Sequence, residues 1–353
     1  MTGDFVTQLR GQLRDAADRE GRRGPVARAA LDARVAVASE PAVGALALVL
    51  LAVVVATFAG LLRGPRETAQ LHRGPHLVAR VQLVDNGGTM VPGFGAVWAV
   101  DNVNGQVLRV DPRTRRVVAR VSVGDQAMVD VGAGAVWALA ANQPYLYEID
   151  PHVNRVVARV ALGSKAGGLL VSGRDVWAAT AGALVHVDVA RNSVDRRVST
   201  AHRGFVLVSG TTGAGSLFLQ RGDGVVVRLD GHTGARLGSW RAPLDGTLVG
   251  VTPEGLIMVS DREVAAVDAD SGRQLWRRTL GTGMDGGIVD GDSVWIHGTD
   301  LARPQDRLWR LETGHGRLTG SVALPDFGAA GGAVVGDQVW VMSGGGSLEV
   351  IAR

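Results

Sequence analysis

One segment of the chain occurs twice in succession, and this repetition restricts the possible folds more than any other feature. The two copies are AVWAVDNVNGQVLRVDPRTRRVVARV, Ala96 to Val121, and AVWALAANQPYLYEIDPHVNRVVARV, Ala135 to Val160. A unit that returns at a regular period is a supersecondary element that buries its apolar faces by stacking on its neighbours. We therefore expect a repeat architecture.

The number of copies follows from an alignment of the whole chain on the Val-Trp pair of the two segments. Where a copy lacks the tryptophan, the residue at the equivalent position is counted. Seven positions align, at spacings of 38 to 45 residues: Trp98, Trp137, Trp177, Phe218, Ile257, Trp295 and Trp340. Each copy contains short runs of alternating apolar residues and turn signals such as Asp111-Pro112 and Asp150-Pro151. A period of about 40 residues with about four short strands is typical of a propeller blade. Residues 77–353 are therefore predicted to form an all-β domain, a seven-bladed β-propeller.

The last copy is one strand short, and a matching strand precedes the first copy. The chain closes with SGGGSLEVIAR, which has no counterpart of RRVVARVSV, Arg115 to Val123. The segment LVARVQL, Leu77 to Leu83, matches that outer strand closely. Pairing this strand into the last blade removes two exposed sheet edges and closes the ring. We expect Leu77–Leu83 to complete blade 7.

A separate apolar segment precedes the repeats. Residues 42–62, AVGALALVLLAVVVATFAGLL, contain no charged residue, and a helix of this length spans about 30 Å of hydrocarbon. The segment is too long, and lies too far behind polar sequence, for a cleaved signal peptide. It is predicted to be a single retained transmembrane helix.

Arginines on both sides leave its orientation undecided by charge, but long domains are translocated largely regardless of flanking charge. We therefore expect a cell-membrane protein with a cytoplasmic tail and an extracytoplasmic propeller.

The remaining N-terminal residues are predicted to be a tail and a linker. In the tail, residues 1–41, the segment DFVTQLRGQLRDAADR places Phe5, Leu9 and Leu13 on one stripe, as in an amphipathic helix. Such a helix could dock on a cytoplasmic partner or on the inner membrane surface; the alternative is a marginal helix in a flexible tail. Residues 63–76 contain two Gly-Pro breaks and are predicted to be a linker.

Composition and motifs narrow the classes of function. The chain has no cysteine, which excludes disulfides and cysteine-ligated metals. Its net charge of +3 comes almost wholly from arginine, a bias typical of a high-GC bacterial genome. Basic residues are interspersed with acids, unlike the one-faced stripe of a nucleic-acid binder, so no nucleic-acid partner is expected. Gly281, Gly283 and Gly286 match G-x-G-x-x-G, but the sequence that follows predicts a strand rather than a phosphate-binding helix. No cofactor or metal is expected.

Two sets of phrases resemble known propeller repeats. GFGAVWAVDNVNGQVLRVDPRTRRVVARVSVG and its second copy are similar to the repeats of a broad bacterial superfamily that includes YVTN-type and NHL-like propellers, sensor propellers of actinobacterial membrane kinases, and virginiamycin B lyase. The segment Glu263 to Gly281, EVAAVDADSGRQLWRRTLG, resembles the tryptophan repeat of pyrroloquinoline-quinone-type propellers. Trp276 is the only residue of this chain that matches the docking tryptophan of that repeat well. This resemblance implies a membrane-anchored bacterial propeller of actinobacterial type. Function stays open, because such repeats serve enzymes, scaffolds and sensors alike.

Two functions are carried forward. The first is a membrane-tethered, non-enzymatic extracytoplasmic module for binding, sensing or scaffolding, whose partner is a protein, a peptide or a polar small molecule. The alternative is a lyase-type enzyme resembling virginiamycin B lyase, with its site at the channel mouth. That resemblance would require a histidine base and metal-ligating acids, for which His202 with Asp245 or Asp285 are the residues at hand.

The candidate binding surface is one mouth of the central channel. Loops that join the outermost strand of one blade to the innermost strand of the next gather there, and they are the least repeated part of each copy. The candidate ligand-binding residues on these loops are Asp125, Lys165, His202, Arg203, Asp245, Asp285 and Asp326. The alternative to a binding surface is that these loops are merely polar turns on a solvated face.

A second candidate surface is the outer rim, which is rich in arginine. Its residues are Arg116, Arg120, Arg155, Arg159, Arg196, Arg197, Arg277 and Arg278. Such a rim could attract anionic lipid or a cell-wall polymer, or it could simply protect the outer strands from edge-to-edge aggregation.

Overall fold

The computed structural model of the chain describes residues 74–353, apart from residues 126, 141, 181, 200–206, 285, 304 and 326–327. In this part of the chain no helix is long and apolar enough to cross a membrane. The predicted tail (1–41), the predicted transmembrane helix (42–62) and nearly all of the predicted linker (63–76) lie outside the described residues. They stay predictions.

The described residues form seven antiparallel sheets of four strands each, which confirms the predicted seven-bladed propeller. The first strand in the chain, β1 (His76–Gln82), belongs to the last blade. Blades 1 to 3 are built from β2 (Gly87–Gly93), β3 (Ala96–Asp101), β4 (Gln106–Val110) and β5 (Val117–Ser122); β6 (Ala127–Gly132), β7 (Ala135–Ala140), β8 (Tyr145–Asp150) and β9 (Arg155–Ala161); and β10 (Ala166–Ser172), β11 (Asp175–Thr180), β12 (Ala183–Asp188) and β13 (Ser193–Ser199).

Blades 4 to 7 follow the same plan. Their strands are β14 (Leu207–Gly213), β15 (Ser216–Arg221), β16 (Val225–Asp230) and β17 (Arg236–Arg241); β18 (Thr247–Thr252), β19 (Gly255–Val259), β20 (Glu263–Val267) and β21 (Gln274–Thr279); β22 (Gly287–Asp290), β23 (Ser293–Thr299), β24 (Asp306–Glu312) and β25 (Leu318–Ala323); and β26 (Ala329–Val335), β27 (Gln338–Ser343) and β28 (Ser347–Ala352).

The first strand of each blade faces the central channel. These innermost strands contact one another in succession, and β26 contacts β2, so the ring is closed. Because strands alternate in direction, the linkers between blades and the loops between second and third strands share one end of the ring, the upper face. The turns that join first to second and third to fourth strands share the other end, the lower face. The candidate residues of the channel mouth therefore belong to the upper face.

Closure by the N-terminal strand is confirmed. β1 pairs with β28 in antiparallel register, with Leu77 opposite Ile351 and Val81 opposite Leu348. Side chains support the joint, because Gln82 Nε2 donates to the carbonyl oxygen of Gly345 at 2.8 Å. The strand that the last copy lacks is thus supplied from the beginning of the repeat domain.

The seven aligned residues form the core between blades. Each lies on the second strand of its blade, and none exposes more than 1% of its surface. Trp98 packs between blades 1 and 2, and Trp340 packs between blades 7 and 1. Every pair of neighbouring blades encloses one such apolar cluster. Burial of one large apolar side chain contributes about 1.5–3 kcal/mol, so these aromatic residues are structural.

The turns of the lower face are closed by aspartates, as the sequence predicts. Oδ1 of Asp111 accepts the backbone N–H groups of Arg113 and Thr114, both at 2.8 Å. In four other turns the backbone N–H of the third residue after the aspartate donates in the same way to its Oδ1. These aspartates are Asp150, Asp188, Asp230 and Asp268. Backbone hydrogen bonds hold the pKa of Asp111 and Asp230 below the usual range. The charge of these aspartates is therefore used within their own turns.

Docking of one blade on the next by tryptophan occurs more often than the sequence analysis predicted. Trp276 packs on Gly316 of the next blade, as its repeat motif implies, and Trp240 packs in the same way on Gly272. Only Trp276 was predicted from the sequence to match this docking motif. Trp240 lies six residues after its turn glycine, Gly234, whereas Trp276 lies four residues after Gly272, and this longer spacing concealed the second motif.

Candidate functional site

Three of the seven candidate residues of the channel mouth are described by the structure. Asp125, Lys165 and Asp245 are exposed and lie on the linkers that precede β6, β10 and β18 at the upper face. Among the described residues, no hydrogen bond or ion pair joins any two of them. The other four, His202, Arg203, Asp285 and Asp326, lie outside the described residues. That the seven act as one site stays a prediction.

The outer arginines have a structural role that the sequence analysis did not consider. Arg197 Nη2 donates to the carbonyl oxygen of Leu162 in blade 2 at 3.0 Å. Arg278 Nη2 donates to the carbonyl oxygen of His315 in blade 6 at 3.0 Å, and Arg196 Nη1 donates to that of His232 in blade 4 at 2.5 Å. At least these three arginines hold neighbouring blades together through main-chain acceptors.

A chain of titratable groups lies at the lower face, in a pocket between blades 3 and 4. The ring of His186 has Nδ1 2.7 Å from Oδ1 of Asp195 and Nε2 3.2 Å from Oδ1 of Asp175. His232 Nδ1 lies 2.9 Å from the same oxygen of Asp175. These residues were not predicted from the sequence, because they come from three strands of blade 3 and a turn of blade 4 and meet only in the tertiary structure.

Comparison among the blades explains why His186 is placed there. His186 stands opposite Trp177 in the sheet, and the two ring centroids are 4.7 Å apart. The same position opposite the aligned aromatic residue holds an arginine stacked on the ring in three other blades: Arg109 on Trp98, Arg228 on Phe218 and Arg310 on Trp295. His186 therefore takes the part of a stacking residue that is common to the repeat.

A cavity of about 260 Å³ opens between blades 6 and 7. It is lined by residues 286–288 and 329–332, at the beginnings of β22 and β26, together with Trp295, His297, Leu308 and Val341. Because β22 and β26 both begin at the upper face, the cavity lies on the side of the predicted channel mouth. It shares this side with the linkers that carry the candidate residues.

His297, which lines this cavity, forms a buried pair with Asp306, and the two residues expose 5% and 3% of their surfaces. Nε2 of His297 lies 3.0 Å from Oδ2 of Asp306. The same Oδ2 accepts the backbone N–H of Gly328 at 2.8 Å, and Oδ1 accepts the hydroxyl of Thr299 at 2.8 Å. Nδ1 of His297 is buried and has no hydrogen-bond partner among the described residues.

This pair was not predicted from the sequence, although the internal repeats carried a signal for it. His297 lies two residues after the aligned tryptophan of blade 6. The equivalent positions of the other blades hold Val100, Leu139, Ala179, Gln220, Val259 and Met342. This position is apolar in five of the other six copies, so a histidine here breaks the residue pattern of the repeat. Exceptions to a repeat pattern are expected where a functional site has been added to the fold.

The described residues offer no metal site. Across the described part of the chain, no three histidine, aspartate or glutamate side chains are placed to hold a metal ion. Two of the residues considered for a lyase-type site, His202 and Asp285, lie outside the described residues, and the lyase alternative stays a prediction.

Comparisons with known proteins agree with the fold. No protein-family model matches the chain, and no curated protein matches it. Among solved structures, BamB from Moraxella catarrhalis is 16% identical with a TM-score of 0.54, over 78% of this chain and 99% of that chain. The β-propeller domain of Cps50 (Swd1) from Myceliophteria thermophila is 12% identical with a TM-score of 0.65, over 79% and 99% of the two chains.

A chain in the mitotic checkpoint complex is 12% identical, with a TM-score of 0.66, over 82% of this chain and 96% of that chain. Identities this low show a shared fold and nothing more, because propellers of one architecture host unrelated functions. Function must therefore be argued from the surfaces of this chain.

Proposed function

We propose that this protein is a membrane-tethered, non-enzymatic extracytoplasmic module for binding, sensing or scaffolding, and that its partner contacts the upper face. One observation carries the proposal: the described candidate charges on the linkers between blades are exposed and have no partner among the described residues, whereas the turn aspartates of the lower face do. On the lower face, the carboxylates of aspartates such as Asp111 and Asp230 accept hydrogen bonds from backbone N–H groups of their own turns. On the upper face, the exposed Asp125, Lys165 and Asp245 have no such partner among the described residues.

Exposed charges without an internal partner contribute little to stability, and they remain free for a ligand. They lie on loops whose chemistry can vary without disturbing the packed blades. Carboxylates combined with one ammonium group suit a polar or zwitterionic partner, such as a peptide or a protein loop, better than an apolar one. The fold shared with a chain of the mitotic checkpoint complex is compatible with a place in a protein assembly, but the proposal rests on the upper-face charges of this chain.

The test is site-specific photo-crosslinking in cells with the full chain. A photoreactive residue is placed at Asp125, Lys165 or Asp245, and, as the matched control, at the exposed lower-face positions Arg113 and Arg273. We expect one crosslinked species from the upper-face positions and none from the control positions. A combined Asp125→Ser, Lys165→Ser and Asp245→Ser variant should lose that species without a change in melting temperature.

The opposite pattern would reject the proposal. If crosslinks form only from the lower-face positions, or only from the rim positions Arg116 and Arg155, the working surface is elsewhere. If the triple variant retains the crosslinked species, the three charges do not recognise the partner.

A further inference from the structure

We propose that the cavity between blades 6 and 7 is a binding site for a small, neutral organic molecule that donates a hydrogen bond from a hydroxyl or N–H group to Nδ1 of His297. This proposal goes beyond the contact of a partner with the upper face and does not depend on it.

The hydrogen bonds around Asp306 decide which nitrogen of His297 carries the proton. The backbone N–H of Gly328 can only donate, so Oδ2 of Asp306 acts as an acceptor, and a carboxylate offers acceptor sites for further donors. Nε2 of His297, 3.0 Å from the same oxygen, must then bear its hydrogen. In a neutral imidazole this leaves Nδ1 as a bare lone pair. His297 lines the cavity, and its buried Nδ1 is an acceptor that lacks a donor among the described residues.

Packing does not require this arrangement. A buried polar atom without a hydrogen bond costs about 1–3 kcal/mol, and the equivalent residues Val100 and Val259 fill the same position without that cost. The position of Asp306 is also exceptional, because four of the other six copies have glycine there: Gly105, Gly182, Gly224 and Gly346. Blade 6 thus replaces two ordinary residues of the repeat by a buried hydrogen-bonded pair. Such groups call for a specific explanation, and a ligand donor supplies it.

The walls of the cavity define the class of ligand. Trp295, Leu308, Val341 and Ile288 are apolar, and His297 is the only polar side chain among the described residues of the lining. A charged ligand would be desolvated there without an opposite charge to compensate it. A cavity of about 150 Å³ is sufficient to bind benzene, so about 260 Å³ accommodates one aromatic ring with a small substituent.

One glycine of the lining, Gly286, leaves room for entry. A Cβ placed on Gly286 would meet no atom within 4 Å, which shows open space at the beginning of β22. Six of the lining residues at this edge are glycine or alanine, whose side chains occupy little space: Gly286, Gly287, Ala329, Ala330, Gly331 and Gly332.

The experiment uses two probes and their donor-free analogues. Phenol and indole are titrated into the protein by saturation-transfer NMR, beside fluorobenzene and benzofuran, which keep the ring but lack the donor. The protein is labelled with ¹⁵N at histidine so that the Nδ1 resonance of His297 reports directly on the contact. We expect phenol or indole to bind at least tenfold more tightly than its analogue and to shift that resonance.

Two variants complete the test. His297→Val introduces the residue that blades 1 and 5 carry at this position, and it should weaken phenol or indole binding at least tenfold while the melting temperature stays the same or rises. His186→Arg introduces the common residue at the lower pocket and should leave binding unchanged.

Three results would overturn the proposal. The first is that neither phenol nor indole binds. The second is equal affinity of the probes with and without a donor, or for the wild type and His297→Val. The third is a crystal structure soaked with phenol in which an ordered water alone remains on Nδ1.

Discussion

The indole N–H of Trp276, on the outermost strand of blade 5, donates to the main-chain oxygen of Thr313 in blade 6 at 2.6 Å. The ring lies against Gly316, whose φ of 64° places it in the left-handed region. Trp240 makes the equivalent ring contact with Gly272 one blade earlier. Neighbouring blades are thus joined at their outer edges as well as through their buried clusters.

The first prediction concerns this outer contact. Gly316→Ala adds a Cβ where the Trp276 ring lies and also strains the left-handed backbone, so we expect a loss of about 3 kcal/mol in the free energy of unfolding. Gly336 has nearly the same φ, 61°, and open space around its Cα, so Gly336→Ala should cost about 1 kcal/mol from strain alone. Urea unfolding of both variants measures the difference. Equal losses would mean that the tryptophan contact is not tightly packed.

The second prediction concerns the third-to-fourth-strand turns of the lower face. The residue four positions after the turn acid has positive φ in six blades: Arg115, Asn154, Asn192, Gly234, Gly272 and Gly316. Arginine is the least suited of these to that conformation. Arg115→Gly should therefore stabilise the protein by about 0.5–1 kcal/mol, as measured by urea unfolding. Arg113→Gly, in the same turn without positive φ, should be neutral or destabilising. Stabilisation by both changes would rule out the backbone explanation.

The third prediction concerns closure of the ring. Removing β1 exposes the edge of β28 and leaves the last blade with three strands, and unpaired edges favour aggregation. A chain that begins at Asn86 should be insoluble or melt far below one that begins at Arg73, as measured by sedimentation and calorimetry. Identical melting curves would show that β1 contributes nothing to the closed ring.

The fourth prediction concerns Asp130 on the innermost strand of blade 2. Burial raises the pKa of its carboxyl to about 6, although the backbone N–H groups of Val131 and Val171 act in the opposite direction. The folded state then holds a proton more tightly than the unfolded state, in which the carboxyl has its ordinary pKa of 3.8. Between these two values a rise in pH therefore destabilises the fold, and above the folded pKa the loss is complete.

Asp130→Asn removes this titration. Relative to the variant, the wild type should lose about 2 kcal/mol in the free energy of unfolding as the pH rises from about 4 to about 7. Urea midpoints measured across this range for both proteins give the difference, and groups common to both cancel. Parallel profiles would show that Asp130 is not protonated in the folded protein at low pH.

The fifth prediction concerns sidedness and rests on the predicted transmembrane helix. Protease added to intact spheroplasts that express the full chain should digest the propeller and spare a tag fused before Met1. Long domains are translocated largely regardless of flanking charge. Full protection of the propeller until the membrane is broken would place it in the cytoplasm.

The fold was accessible from sequence because its determinants are local and repeated. Trp98 and Trp137 follow the same alternation, Asp111 and Asp150 close the same turn, and Leu77–Leu83 matches the strand that the last copy lacks. Alternation decides which residues face neighbouring blades, and turn chemistry decides where strands end. The number of blades and the closing strand follow from these signals.

The interior chemistry was decided only by the tertiary structure. His297 and Asp306 are nine residues apart, and they meet because antiparallel pairing of β23 with β24 brings their strands side by side on one face. The burial of Asp130 and the docking of Trp240 on Gly272 depend on the approach of a neighbouring blade. Desolvation and contact across an interface depend on distance in space, so a pattern along one strand determines which faces are apolar but not which polar groups those faces enclose.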